Sequence, residues 1–293
     1  MNPFLKKLLY PAVLLRHAYD NHLRRTNPER LFSLYHKRTT GMALDIDHPE
    51  TLDDKIAYLA FRTDTTEWSR LADKIRVREY VEECGYGAYL PKLYGVWEHA
   101  DQIDFEKLPD AFVIKANHAS ATNILVPDKT SADLDKVRRQ LDEWLGYDYG
   151  YQTCQPHYSR IKPMILAEEY LGLGRSINDY KLFCINGTAR FVQVMSGRVA
   201  NSHQFNVSLF DLDWTPHPEY CSSRHPVDNS VQKPESFSEM VAIAQRLSSS
   251  FPFVRVDFYE IGGKPVFGEM TFTPGYSSIN NDFNVYIGKE LRI

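Results

Sequence analysis

Two acids stand in the last part of the sequence, each inside a short apolar run. Asp257 belongs to Val254-Arg255-Val256-Asp257-Phe258, and Glu269 to Val266-Phe267-Gly268-Glu269-Met270. Pairing of the two runs across Ile261-Gly262-Gly263-Lys264 would bring the carboxylates to neighbouring positions on one sheet face. Carboxylates so placed repel each other unless a cation sits between them. Magnesium suits, because it takes one or two carboxylates together with phosphate oxygens. The other reading of the pair is that one or both acids face solvent.

Three more places carry suitable chemistry. Lys115 ends the apolar run Phe112-Val113-Ile114 and is followed by small and polar residues up to Asn123. A lysine there, with backbone N–H groups of the loop, can hold a phosphate, and His118, Ser120 and Thr122 add side-chain donors. No GxxxxGK[ST] occurs, so this is not a Walker A loop. An ordinary hairpin with an exposed lysine fits the same residues. Met164 to Leu171 is an apolar strand carrying Glu168 and Glu169 at its end. Adenine needs backbone donors and acceptors beside such an apolar wall, although a surface pair of acids looks the same. In the fourth place, Asp179-Tyr180-Lys181 precedes a turn, and Arg198 follows the next strand. Two cations on adjacent strands can stabilise charge on a transferring phosphoryl group, or can be exposed hairpin charges. His99, His157 and His217 show no metal-ligand spacing and read as surface residues. The alternating Tyr147, Tyr149 and Tyr151 read as packing residues.

The elements that must hold these groups follow from periodicity. Residues 52–62 and 69–84 read as helices, the second with Leu71, Ile75, Val81 and Cys84 at near-helical spacing before Gly85 and Gly87 stop it. Residues 131–145 read as an amphipathic helix capped by Ser131, with Leu134, Val137, Leu141 and Leu145 on its apolar face. Tyr180–Ile185 and Ala189–Met195 form a hairpin about Asn186-Gly187. Residues 215–236 read as a long surface loop and 237–250 as a helix. Helices, a strand–helix–strand layer and then an antiparallel sheet make an α+β chain.

Composition bounds the function. A chain of 293 residues has room for about two domains and a large core. Its formal net charge of -4 argues against generalised binding to a polyanion, so no nucleic-acid partner is expected. The four cysteines, Cys84, Cys154, Cys184 and Cys221, contain no CxxC pair and suit reduced thiols in a cytoplasmic protein. No apolar run approaches the ~18 residues of a membrane span. Residues 1–25 carry Lys6, Lys7, Arg16, Arg24 and Arg25 against Asp20 alone. This stretch reads either as a helix packed on the body or as a basic amphipathic segment resting on an acidic membrane surface.

Taken in order, these segments resemble an ATP-grasp enzyme, and more narrowly the TupA-like ATP-grasp family associated with teichuronopeptide and capsular polysaccharide synthesis. Thr51-Leu52-Asp53-Asp54-Lys55, Asp73 to Val81, Phe112 to Asn123, Ile165 to Leu171, Asp179 to Gly187, Arg255 to Tyr259 and Gly268 to Phe272 carry the likeness. It covers about residues 48–280. The resemblance implies an ATP-grasp fold with nucleotide held between two α+β lobes. Its parts would be a helical extension over 1–50, the first part of the fold over 51–110, an ATP-binding lid over 111–172 and a metal-site lobe over 173–293.

It also implies roles. Lys115 would contact the α and β phosphates, with Lys74 or Arg78 as the other basic contact. Asn117 to Thr122, including His118 and Ser120, would form the loop over the phosphates. Glu168, Glu169 and Leu171 would frame adenine. The position where the family carries a ribose-binding acid falls on Arg175, which moves that role to Asp179. Lys181 and Arg198 would face the γ-phosphate, and Asp257, Glu269 and Thr271 would bind Mg2+. Alanines stand at 119 and 121 where glycines are usual in that loop, which restricts its backbone. The implied activity is an ADP-forming carboxylate–amine ligase joining an amino acid and a uronic acid or similar carboxylate. A sugar kinase on the same fold, a nucleotide-binding scaffold and a glycosyltransferase are the competing readings. Asp45-Ile46-Asp47 and Asp211-Leu212-Asp213 match the DxD pattern of the last.

Overall fold

A computed structural model describes residues 3–172, 177–198 and 204–293 of the chain, with side chains from residue 13 onward. Arg175 and the side chains of Lys6 and Lys7 lie outside the described residues.

Two helices come first, α1 (Pro3–Thr26) and α2 (Pro28–Thr40). Asn27 separates them and caps α2 by accepting from the Arg30 backbone N–H, with Pro28 in the first turn. The C-terminal end of α1 packs on α2. Leu23 is buried there, and Asp20 takes both Arg38 nitrogens at 2.7 and 2.9 Å. Val13, Leu14, Leu15 and Tyr19 stay exposed on α1. No described helix is long and apolar enough to cross a membrane.

Helix α3 (Leu52–Arg62) opens with a capping box between Thr51 and Asp54. The motif Thr51 to Lys55 proves to be a fastening for distant parts of the chain. Asp53 pairs with His36 at 2.9 Å, and its backbone N–H donates to Asn284 at 2.8 Å. Lys55 donates to the carbonyls of Gly288 and Leu291 at 2.9 and 2.7 Å. The helix expected over 69–84 is two helices, α4 (Thr66–Ala72) and α5 (Arg76–Glu83). Asp73 breaks it because its carboxylate accepts from the Ile75 N–H at 2.9 Å, a local bond that competes with the helical one. The Lys74 N–H then donates sideways to the Asn117 carbonyl at 3.2 Å.

The chain continues through β1 (Leu93–Trp97), β2 (Phe112–Ala116), β3 (Asn123–Val126), α6 (Leu134–Leu145), α7 (Tyr149–Thr153), α8 (Pro156–Ser159) and β4 (Ile165–Glu169). The strands form an antiparallel sheet in the order β1-β4-β2-β3. One face, with Phe112, Ile114, Ile165 and Ala167, packs on Val137 and Leu141 of α6. Alternation sends Lys115 and Glu168 to the other face. The cap of α6 is Asp133, which accepts from the Lys136 N–H, and not Ser131, whose hydroxyl turns back to the Asp128 carbonyl at 3.1 Å.

A second sheet follows, built from β5 (Asp179–Ile185), β6 (Thr188–Ser196), β7 (Asn206–Asp211), β8 (Phe253–Ile261) and β9 (Lys264–Thr271), with α9 (Phe237–Ser248) before β8 and α10 (Asn281–Gly288) last. Its order is β7-β6-β5-β8-β9. Asn186 and Gly187 take φ of 49° and 75°, the mirror-image turn that a two-residue hairpin needs. Leu182, Cys184, Val192, Val194, Val254, Val256 and Phe258 bury one face with Met240, Ile243, Ala244 and Leu247 of α9. On the opposite face Phe183, Phe191 and Phe253 form a smaller cluster with Phe283 and Ile287 of α10. Strands β1 and β7 and helix α10 are additions to what periodicity gave. The stretch 215–236 is irregular as expected, apart from one turn at Pro218–Tyr220 and two isolated bridges.

Helix α10 comes close to α3. A Cβ on Gly288 would lie 2.5 Å from the Leu52 nitrogen and 2.7 Å from the Glu50 carbonyl oxygen. We predict that Gly288→Ala destabilises by about 1–3 kcal/mol, as overpacking against backbone does. Thermal denaturation reads it, and a melting temperature at or above that of the parent contradicts it.

Candidate active site

The register of the five-stranded sheet sets a polar row on the face away from α9. Gln193 lies opposite Lys181, Lys181 opposite Asp257, and Asp257 opposite Glu269. The two acids therefore are neighbours, as the hairpin implied. The cation that meets them comes from the protein. Arg255, two residues before Asp257 on the same strand face, donates to Asp257 Oδ1 and Oδ2 at 2.7 Å each. It also reaches Thr271 Oγ1 at 3.2 Å and Glu269 Oε1 at 3.5 Å. Lys181 completes the row, with its Nζ 2.5 Å from Asp257 Oδ2 and 2.7 Å from Asp179 Oδ2.

These charges are buried, and their titration follows from that. Burial alone would push Asp257 up, but Arg255 and Lys181 outweigh it and hold its carboxyl below the usual range. Burial would pull Lys181 down, yet Asp179 and Asp257 raise it. Asp179 is raised, because its burial exceeds the pull of Lys181. Among the described residues nothing pairs with its Oδ1.

The opposite side of the site comes from the break between α4 and α5 and from the loop after β2. Asn117 is fully buried. It donates to Asp73 Oδ1 at 2.9 Å and to the Lys162 carbonyl at 3.1 Å, and it accepts from the Met164 N–H at 2.7 Å. Asp73 is thereby fixed, and so is Lys74, whose Nζ donates to the Ala119 carbonyl at 2.5 Å. Burial pulls Lys74 down to about 8, with Glu269 pulling upward and Lys115 downward. Lys74 therefore feels the carboxylate of one sheet and the lysine of the other. Lys115 pairs closely with Glu168, and Arg78 lies 4.0 Å from the second oxygen of Glu168 while donating to the Pro91 carbonyl at 2.7 Å.

Lys74, Ser120, Lys181, Arg255, Glu269 and Thr271 line one cavity of about 520 Å³. Gln193 and Tyr149 line it too, as do Phe32 and Tyr35 of α2. A second recess of about 510 Å³, by Ser196 and Glu260, shares none of its lining residues.

Several expected positions differ. His118 is buried, with one ring nitrogen on the Tyr147 carbonyl at 3.0 Å and the other on Asn117 Oδ1 at 3.3 Å, so it braces the loop instead of offering a donor to the cavity. Arg198 is exposed beyond the end of β6, 5.4 Å over the Phe205 ring, and the second cation beside Lys181 is Arg255. Glu168 neutralises Lys115, whereas Glu169 is exposed and Leu171 half-buried at the end of β4. His157 is fully buried against Trp68 and Tyr158, and burial pulls it down to about 3. Both DxD matches serve turns. Asp45 accepts from the His48 N–H and Asp211 from the Thr215 N–H, each at 2.8 Å. Arg255 and Gln193 line the cavity and Asp73 fixes the turn that carries Lys74, none of which was expected, whereas Asn117, expected in the loop over the phosphates, is that loop's buried anchor. The signal for Arg255 was its two-residue spacing from Asp257, which puts both on one face of a strand.

The donor set fits a hard divalent cation. Asp257, Glu269 and Thr271 offer oxygen only, and Asp257 keeps part of its acceptor capacity after three hydrogen bonds. Among the described residues no three His, Cys, Asp or Glu side chains are grouped to hold a metal without help.

A family model described as TupA-like ATPgrasp matches residues 54–292. Among solved structures the chain is similar to a D-alanine–D-alanine ligase from Bacillus anthracis, at 15% identity and TM-score 0.46, over 73% of this chain and 62% of that one. It is similar to an L-amino acid ligase from Bacillus licheniformis at 13% identity and TM-score 0.48, over 75% of this chain and 48% of that one. An ADP complex of an N5-carboxyaminoimidazole ribonucleotide synthetase matches at 13% identity and TM-score 0.45, over 76% of this chain and 51% of that one. The chain spans less than two thirds of the length of each. No curated protein matches it.

The two acids should respond differently to removal. Asp257→Ala leaves Arg255 and Lys181 buried without their shared anion and costs about 3–5 kcal/mol. The Glu269 side chain is 38% exposed. Glu269→Ala is expected to stay within about 1 kcal/mol. Denaturant titration of both variants reads the difference, and equal losses would contradict it.

Proposed function

The chain belongs to the TupA-like ATP-grasp family, and from that premise we propose that it is an ATP-dependent carboxylate–amine ligase working through an acyl phosphate. One observation carries the reading. Lys74, Lys181 and Arg255 converge with Glu269 on a single cavity, which is the charge pattern a metal-bound triphosphate requires.

In this reading Lys115 and Lys74 hold the α and β phosphates. Arg78 and Glu168 fix the charge around Lys115. Ser120 and the backbone N–H groups of residues 119–122 cover the phosphates. Glu169 to Leu171 offer backbone groups beside adenine, and Asp179 Oδ1 accepts from a ribose hydroxyl. Asp257, Glu269 and Thr271 would hold Mg2+, which when bound spreads the developing charge and orients the γ-phosphoryl group. Residues 111–172 act as the lid, 173–293 as the metal-site lobe, 51–110 as the first part of the fold and 1–50 as a helical extension.

The substrate carboxylate attacks the γ-phosphorus, and the bond to the bridging oxygen breaks with its electron pair leaving on ADP. An amine then attacks the acyl carbon, phosphate leaves, and the amine loses a proton. Lys181 and Arg255 stabilise the charge on the transferring group, and no protein nucleophile is needed. An amino acid and a uronic acid, joined in surface polysaccharide synthesis, are the proposed substrates. A cytoplasmic setting fits the use of ATP, with residues 1–25 resting on an acidic membrane surface as the finer form of that proposal.

The test is release of ADP and phosphate against a panel of uronic acids crossed with amino acids. Stoichiometric ADP and phosphate are expected, and Glu269→Ala should lower the rate by at least ~10²-fold. ADP without phosphate would mean a kinase, and full activity in the variant would remove Glu269 from the metal site.

Lys74 adds a pH dependence. It must be charged to hold phosphate, and its ligand-free value of about 8 lies well below the usual lysine range. Nucleotide affinity should therefore be flat below that value and fall as pH rises through it, with a proton taken up on binding near pH 8. Calorimetry of MgADP in buffers of different ionisation heat measures the uptake. Lys74→Arg should abolish it, and uptake unchanged in that variant would assign the proton elsewhere.

A further inference from the structure

The polar row of the second sheet contains one group that neither the nucleotide nor the metal reading uses. Gln193 lines the cavity but is only 2% exposed. Among the described residues nothing pairs with its Nε2. A buried amide donor left unpaired costs free energy, so a partner that arrives with a ligand relieves it. Its position says which ligand. Across the sheet the order is Glu269, Asp257, Lys181, Gln193. The metal acids lie at one end and Gln193 at the other, with Lys181 between. An oxygen bound at Gln193 thus lies beyond Lys181 as seen from the metal acids.

We propose that Gln193 binds the substrate carboxylate, with its Nε2–H donating to the carboxylate oxygen that does not attack phosphorus. The inference rests on the ligase reading above. Two features favour a carboxylate over a neutral acceptor. Lys181 and Arg255 line the same cavity and offer cationic donors beside the place where an anion must be seated. A carboxylate also has a second oxygen to spend on Gln193 while the first approaches the γ-phosphorus. The amide is neutral, so it fixes the orientation of the carboxylate without lowering its nucleophilicity as a third full cation would. Gln193 is on this account a substrate-binding residue that selects for a correctly placed carboxylate.

The experiment uses the full chain and follows ADP release at saturating MgATP. The probe is the uronic acid or amino acid that gives the largest carboxylate-dependent rate with the unaltered protein. Gln193→Leu keeps the bulk and removes the donor. It is expected to raise the KM for that carboxylate about 10- to 100-fold, the value of a hydrogen bond to a charged group. The KM for ATP and the MgADP affinity by calorimetry should not move, and the second of these also reports that the variant is folded. Gln193→Asn, with the amide one methylene short, should recover part of the loss. An unchanged carboxylate KM in Gln193→Leu overturns the assignment, as does a matching rise in the KM for ATP, which would put Gln193 on the nucleotide. If no carboxylate stimulates ADP release in the unaltered protein, the ligase reading itself fails and this inference falls with it.

Discussion

A chain of four largely buried charges is the arrangement that the rest of this molecule must accommodate. Arg255, Asp257, Lys181 and Asp179 follow one another in alternating sign. A single buried ion costs several kcal/mol, and only partners at hydrogen-bonding distance offset it. Each member is therefore tolerated only because its neighbours are in place. The register that supplies those neighbours is not set by the charges. It is set on the opposite face, where Leu182, Val192, Val256 and their companions bury against α9. A slip of one residue between strands would turn both faces over together. The apolar core thus fixes a polar arrangement that would not assemble by its own energetics.

The first sheet uses a different device. Lys74 reaches the cavity only because the helix that should contain it is broken. Asp73 draws off the Ile75 N–H, and Asn117 ties the resulting turn to the strand loop and to Lys162 and Met164. His118 braces the same loop through the Tyr147 carbonyl. The loop contains alanine at 121 with a φ of 59°, a left-handed conformation that costs about 1 kcal/mol outside glycine. Four side-chain tethers hold a backbone that glycine would let move. The glycine-poor loop is accordingly preorganised, and its freedom to open is smaller than a glycine-rich one would have.

Much of this was legible in the sequence, for physical reasons that also mark the limit. Period-two alternation and Asn186-Gly187 disclosed the hairpins, and the pairing of Asp257 with Glu269 followed from them. The fastening role of Thr51 to Lys55 was not legible, because its partners at Asn284, Gly288 and Leu291 are remote in the chain. The helix break was hidden because Leu71, Ile75 and Val81 keep a helical spacing across it. Lys181 and Arg198 are the two cations that the hairpin suggests, but the structure sets Arg255 beside Lys181 on Asp257 and leaves Arg198 exposed. Adjacency along a hairpin suggested Arg198, whereas the partner comes from β8, on the far side of β5. Sheet order decides such matters, and a sequence does not display sheet order. Gln193 carries no charge and sits in an apolar strand, so no composition rule marks it.

The wall of the cavity holds a last consequence. Phe32 and Tyr35 line it, and both come from α2, outside the matched residues 54–292. Their placement is not incidental packing. The Tyr276 ring stands edge-on to Phe32 at 5.9 Å and to His36 at 4.7 Å. His36 in turn bonds Asp53, and Arg24 of α1 donates to the Tyr35 hydroxyl at 2.8 Å. Those contacts make the N-terminal helices part of the same rigid frame as α3 and the strand-end loop after β9. The charged row that would handle a phosphoryl group lies wholly within the matched region, while part of the aromatic wall lies before it. Sequence change in α2 can therefore reshape one side of the cavity and leave the buried charges untouched, because among the described residues no ion pair of that row reaches across to the helix.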